Sequence, residues 1–235
     1  MIETPVYDLT VFKLHFGKLT LKAYTKGEHV LRFEAITHNT GELRTGRVLD
    51  RFCDIVTALA GMLDRFLTVC DSVHASFADD HTPGQLPQPA RLGATRLGGI
   101  DINRPRARAA LSAALSLASR PAGFTAADFT AKIQVITGDT GYTARQAAYD
   151  MRKLRAKHLI NRQGCSRRYQ TPPDAVRTIA GILLLRDQVL IPCLAAIRDP
   201  ALAPPPASPS PADQHYAALR TQMRALLHNC GLAAA

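Results

Sequence analysis

Between residues 103 and 198, helix starts and stops succeed one another in an order that few architectures satisfy. Asn103 can cap a helix with Pro105 in its first turn, and Ala107, Ala110, Leu111, Ala114, Leu115 and Ala118 supply its buried stripe. Pro121 and Gly123 end it. Thr125 then caps a second helix whose Phe129, Ile133 and Ile136 face inward, and residues 138–141 make the turn. Thr143 opens a third helix, 143–158, as a capping box, because Gln146 three positions on can reach back to the cap amide. The text HLINRQGCSRRYQT follows as two short strands joined at Gly164, a hairpin over 160–171. Asp174 caps a last, long apolar helix that runs to about Ile197.

The third helix divides by charge. At 3.6 residues per turn, Ala144, Ala147, Ala148, Met151, Leu154 and His158 share one arc and are expected to pack on the first two helices. Arg145, Tyr149, Arg152 and Ala156 form the opposite stripe, with Gln146 and Lys153 beside it. From 142 to 170 there are eight basic residues and one acid, Asp150. The whole chain carries +10, but residues 1–90 hold nine Lys or Arg against eleven acids, and residues 91–235 hold twenty against eight. All of the positive excess therefore lies in the second part, a field that suits a polyanion and says little about fold.

Three helices, a basic hairpin and a closing helix, with the text TARQAAYDMRKLRAKHLINRQGCSRRYQTPPDA, resemble the winged helix-turn-helix regulators of the MarR and ArsR type over about 95 of 235 residues. The resemblance implies that the helix at 143–158 enters a DNA major groove while the hairpin meets the backbone or minor groove. The residues support a similar reading by themselves. Arg145, Gln146 and Tyr149 lie nearest the helix start, where Arg and Gln can make bidentate contacts to base edges. Arg152, Lys153, Lys157, Arg167 and Arg168 suit phosphates, and Arg162 adds charge before the hairpin turn. The alternative is a solvated charged face, or a module whose basic surface serves an acidic protein.

Upstream, LTVFKLHF, LTLKAYT and HVLRFEAI are short, rich in β-branched and aromatic residues, and separated by turns at Gly17 and Gly27, so a three-stranded meander is expected. Val48, Phe52, Ile55, Leu59, Met62, Phe66 and Val69 recur at helical steps and predict a helix that covers the sheet. The expected class is α+β. Its divisions are a sheet-plus-helix domain at 5–78, a connecting segment at 79–102, the helical domain at 103–198, a Pro/Ala/Ser linker at 199–212 and a terminal helix at 213–228.

The text KAYTKGEHVLRFEAITHNTGELR also resembles, weakly, the filamentous-phage type of replication initiator, over residues 22–44. That resemblance implies a DNA-nicking tyrosine, Tyr24, working with a metal held by two histidines one residue apart. Here His15, His29 and His38 stand singly, so the metal site does not carry over. The other reading makes Tyr24, Arg32 and Glu34 alternating residues of a half-polar sheet, with Lys22 or Lys26 as cross-strand partners. A chain that opens almost directly in strand text is also compatible with the C-terminal part of a longer replication or transposition-type protein.

The five cysteines (Cys53, Cys70, Cys165, Cys193, Cys230) form no CxxC pair, so neither a disulfide framework nor a zinc site is indicated and a reducing cytoplasm is expected. Cys165 lies among arginines and could sense oxidants, but a chance wing-tip cysteine is the preferred account. Asp79, Asp80 and His81 could ligate a metal or simply form a solvated loop, and residues 93–99 lack the spacing of a nucleotide cradle. No signal peptide is visible, and the apolar run 179–197 is interrupted by Arg186, Asp187 and Pro192, so no membrane span is expected. The combined expectation is a non-enzymatic protein of double-stranded DNA without cofactor, catalytic residue or metal, in transcriptional control or an accessory replication role. The apolar helix at 174–198 could pair two copies.

Overall fold

A computed structural model describes residues 2–3, 11–26, 29–45, 48, 50–74, 82–191 and 208–229. The fold is α+β, and the chain divides into two compact units, 1–180 and 181–235.

The first unit opens with an antiparallel sheet of four strands in sequence order: β1 (Ile2–Glu3), β2 (Val11–Phe16), β3 (Leu19–Thr25) and β4 (Leu31–Thr37). The expected meander is β2 to β4; β1 is additional. Helix α1 (Phe52–His74) lies on this sheet, with Phe66 stacked on Phe12 at 5.9 Å between centroids and tilted against Phe33 at 6.0 Å. Such ring pairs add about 0.5–1.5 kcal/mol each beyond their buried area. Ile55, Met62 and Phe66 are buried, whereas Val48 and Phe52, at the start of the expected stripe, are exposed because the covering contact begins a turn later.

Residues 79–102 are not a featureless connection. They contain a helical turn, α2 (Thr82–Gln85), and a hairpin of β5 (Ala90–Leu92) and β6 (Thr95–Leu97). Leu97 is buried and Ala90 and Leu92 half-buried, because this face of the hairpin packs on the helix described below as α5. The Ile100 amide donates to the Leu86 carbonyl at 2.7 Å and closes the hairpin at its base. A Cβ at Gly99 would stand 1.8 Å from the Pro87 carbonyl oxygen, so only glycine permits that approach.

Three helices follow: α3 (Pro105–Ser116), α4 (Ala126–Thr137) and α5 (Ala144–Ala156). The cap of α3 is Arg104, without a side-chain bond, rather than Asn103; Pro105 occupies the first helical position, where its missing N–H costs nothing. Thr125 with Asp128, and Thr143 with Gln146, form complete capping boxes. Strands β7 (Asn161–Arg162) and β8 (Tyr169–Gln170) make the expected hairpin about Gly164, and α6 (Pro173–Leu184) closes the order, with Asp174 in its first turn rather than at its cap.

Phe124, between α3 and α4, pairs with Tyr169 of β8 by two reciprocal backbone bonds of 2.9 and 2.8 Å. The hairpin is thereby tied to the helical core, which buries Leu111, Phe124, Phe129, Ile133, Leu154 and Ile160. Gly123 allows the approach, since its φ is +64° and a Cβ there would lie 2.4 Å from the Tyr169 carbonyl oxygen.

The sheet-and-helix part and the three-helix part both belong to the first unit. Arg120 of the second donates to Glu42 of the first at 3.1 Å, and Arg65 reaches the Ser119 carbonyl at 3.5 Å.

The second unit holds the continuation of α6, in which Leu185–Leu190 form a wider π-helical stretch, and α7 (Pro211–Asn229). Helix α7 begins two residues before the expected 213 because Ser210 and Asp213 close a cap, the Ser210 amide and hydroxyl both donating to the Asp213 carboxylate. Most of the expected linker, 199–207, lies outside the described residues, as does 192–198 at the end of the expected apolar helix. No helix among the described residues is long and apolar enough to cross a membrane.

Candidate functional site

Helix α5 turns its charges in two directions. Ala147, Asp150, Met151 and Leu154 are buried, while Arg145, Ala148, Tyr149 and Arg152 are exposed. Relative to expectation the helix is rotated, so that Ala144 and Ala148 face outward and Asp150 faces in. His158 is also exposed, because it lies beyond the helix end. Its φ of +58° makes it the left-handed residue of a Schellman closure in which the Leu159 amide donates to the Leu154 carbonyl at 2.9 Å and the His158 amide to Arg155 at 3.0 Å.

The inward turn of Asp150 rests on Arg106, 44 residues earlier on α3. The Arg106 guanidinium donates to both carboxylate oxygens, at 2.8 and 3.2 Å, and Tyr142 donates its hydroxyl at 2.8 Å. Arg106 also reaches the Gln146 carbonyl at 3.3 Å and lies over the Tyr142 ring at 5.6 Å. The Asp150 side chain is 10% exposed and that of Arg106 44%. Burial and the adjacent carboxylate raise the Tyr142 hydroxyl far above its ordinary pKa, so it remains a donor. The hydrogen bond to Asp150 likewise raises the Arg106 guanidinium. The one acid in 142–170 is thus paired inside the fold, and it leaves no negative charge on the outward face of α5.

That face carries Arg145 and Arg152, neither with an intramolecular partner among the described residues, and Tyr149, 45% exposed, with Lys153 5.7 Å above its ring. On the hairpin, Arg167 is exposed and likewise without a partner among the described residues. Comparison with protein-family models, curated proteins and solved structures finds no match. The site therefore stands on its own geometry.

The remaining expected residues are occupied elsewhere. Gln146 spends its Oε1 on the Thr143 amide, at 2.7 Å, and hydroxyl. Lys157 donates to the Gln85 carbonyl at 2.7 Å, and burial lowers its pKa. Arg162 folds back onto the carbonyls of Ser166, at 2.6 Å, and Cys165, at 3.1 Å. Arg168 turns inward and clamps the carbonyls of Ala122 and Gly123 at 3.2 and 3.1 Å, its pKa lowered by burial and by the neighbouring Arg44 and Arg120. Its Nε is buried without a partner. Of nine expected contact residues, the structure brings Arg145, Tyr149, Arg152 and Lys153 together on α5 and sets Arg167 free on the hairpin.

Sequence reasoning counts Asp150 as the one acid of the segment but misses its inward position and its partner Arg106. The available signal is that Asp150 stands three residues after Ala147 and four before Leu154, on the apolar arc, where an ionised side chain requires a partner.

In the sheet, the Tyr24 hydroxyl donates to Glu34 at 2.7 Å, Arg32 lies 3.5 Å from the same hydroxyl, and Lys22 stands across from Glu34. His15 pairs with Thr20 at 3.0 Å. Among the described residues no group of His, Cys, Asp or Glu is placed to hold a metal ion; Asp79, Asp80 and His81 lie outside them.

Proposed function

We propose that this chain binds double-stranded DNA as a winged helix-turn-helix module, with α5 as the groove-reading helix and 160–171 as the wing. The observation that carries this reading is the sorting of charge on α5: its single acid is neutralised inside by Arg106 and Tyr142, and its outward arginines 145 and 152 remain unpaired among the described residues. A solvated face formed for solubility alone would gain from acidic partners at helical spacing, and this one has none. The reciprocal pairing of Phe124 with Tyr169 supports the wing, because it makes the hairpin part of the helical body.

In this reading Arg145 and Tyr149 meet base edges near the start of α5, while Arg152, Lys153 and Arg167 meet phosphates. Transcriptional control is the finer form of the proposal. Two copies pairing through 174–198 would present two such helices, and the exposure of Leu185, Leu190 and Ile191 motivates that arrangement; a monomeric mass in solution removes it.

The deciding experiment titrates random and selected duplexes at two salt concentrations. Steep salt dependence with sequence preference supports a regulator. Steep dependence without preference assigns an accessory role on DNA, as in replication or transposition. Absence of binding at 50 mM salt, roughly the lower bound at which such electrostatics dominate, overturns the reading in favour of an acidic protein partner.

A further inference from the structure

The segment between the sheet and the three helices packs on α5 and has a charge pattern of its own. Hairpin β5–β6 packs its Ala90, Leu92 and Leu97 face inward and presents Arg91 and Arg96 outward, directly across from each other in register. Neither arginine has an acidic partner among the described residues. Like charges directly opposed on a sheet are unfavourable to each other, and an anion between them would offset that cost.

The position of the hairpin follows from its contacts around α5. On one flank of the exposed stripe, Arg155 lies 5.8 Å from the ring of Tyr169 in β8, which places the wing there. On the other flank, Lys157 bonds to Gln85, and a cleft of about 410 Å3 has Pro87, Gly98 and Gly99 on one side and Tyr149 and Lys153 on the other, with its acids Asp101 and Asp150 paired to Arg104 and Arg106. At 100° per residue, 155 and 153 stand on opposite sides of 152. The stripe of Arg145 and Arg152 therefore has the wing on one flank and the base of hairpin β5–β6 on the other; the first is tied to the core at Phe124 and the second is closed by the Ile100 to Leu86 bond.

We infer that hairpin 90–97 is a second arm of the DNA interface, placing Arg91 and Arg96 on the phosphate wall opposite the one met by the wing. A major groove has two phosphate walls, and a helix lying in it leaves both within reach of flanking hairpins. This rests on the reading of α5 as a duplex-binding helix and adds the partner surface on its second side.

The test compares the full-length protein with Arg91→Ala/Arg96→Ala and Arg145→Ala/Arg152→Ala on one 30-base-pair duplex, by titration from 50 to 200 mM salt and by hydroxyl-radical footprinting. In R91A/R96A, loss of two phosphate contacts lowers the slope of log K against log salt by about 1.8, so the affinity gap to the native protein shrinks about twelvefold over that range. The footprint loses protection on one strand at the edge of the site for R91A/R96A, and at its centre for R145A/R152A. Thermal midpoints of R91A/R96A unchanged or raised show that the effect is not unfolding. If the native protein binds duplex while R91A/R96A keeps its slope and footprint, this inference fails and the α5 reading stands. If the native protein binds no duplex, both fail. Loss of binding to polyglutamate in R91A/R96A, with duplex binding intact, assigns the hairpin to an acidic protein and overturns the inference.

Discussion

Replacing Arg106 by Ala tests whether the α3–α5 contact has the energetics its geometry implies. The Asp150 carboxylate accepts two bonds from Arg106 and one from Tyr142, and its side chain is 10% exposed. Without the guanidinium, an ionised carboxylate is left inside with one neutral donor, a situation that costs about 3–5 kcal/mol when a buried pair loses one member. Water reaches the Arg106 side, which is 44% exposed, and screens the native pair. The lower bound, about 3 kcal/mol, is therefore expected. Asp150→Asn should cost less, about 1–1.5 kcal/mol, because the freed guanidinium turns to solvent and the amide still accepts from Tyr142. In a protein of this size these losses correspond to about 6–12 °C and 2–6 °C in thermal midpoint. Far-ultraviolet circular dichroism melts at pH 7, with urea midpoints as a second measure, read both. Equal losses, a larger loss for Asp150→Asn, or changes below about 0.5 kcal/mol in both, the range of ordinary surface substitutions, would refute the assignment of Asp150 as a buried, Arg106-dependent carboxylate.

The two adjacent wing arginines should separate cleanly. Arg167→Ala lowers the salt slope of duplex binding by about 0.9 with the melt unchanged, whereas Arg168→Ala lowers the melt by removing the clamp on Ala122 and Gly123; the reverse pattern overturns their assignment. Burial alone would raise the Asp128 pKa, but hydrogen bonds from Arg120 and from the Thr125 amide and hydroxyl hold it below the ordinary carboxylate value. Its stabilisation is thus complete above the unfolded pKa of about 3.9 and is lost as pH falls through the lower folded value. Melts from pH 7 down to about 2.5 should show a loss in the native protein that is shallower in Asp128→Asn, and parallel curves would contradict this. His158→Gly relieves a left-handed residue at a helix end and should raise stability by about 0.5–1 kcal/mol in urea titration; a loss would mean that the histidine ring is held by contacts.

The elements that sequence makes legible here are those whose signals are local. The caps at Thr125 and Thr143, the turn at Gly164 and the short β-branched and aromatic text of LTLKAYT each act within a few residues, and the structure contains the elements they imply. What escapes depends on distant partners. Hairpin 90–97 sits in Pro- and Gly-rich text and gains its buried face against α5, some fifty residues on. Asp150 is an anomaly on an apolar arc until Arg106 is brought beside it. Arg167 and Arg168 are equivalent as text; their opposite fates are decided by two carbonyls at 122 and 123. A strand of one residue, Phe124, has no periodicity to detect.

That one-residue strand bears on how fast the surface can act. A hairpin attached only at its own ends must be caught in the right orientation at each encounter, and ordering it subtracts from affinity. Here the reciprocal bonds between Phe124 and Tyr169 hold β8 to the helical body, and Gly123 makes that approach possible. The base of the hairpin is thereby held against the helical body before any partner is met. Little conformational entropy remains to be lost on docking, so association at low salt should be governed by long-range charge and diffusion, and residence time by how many arginines find an anion.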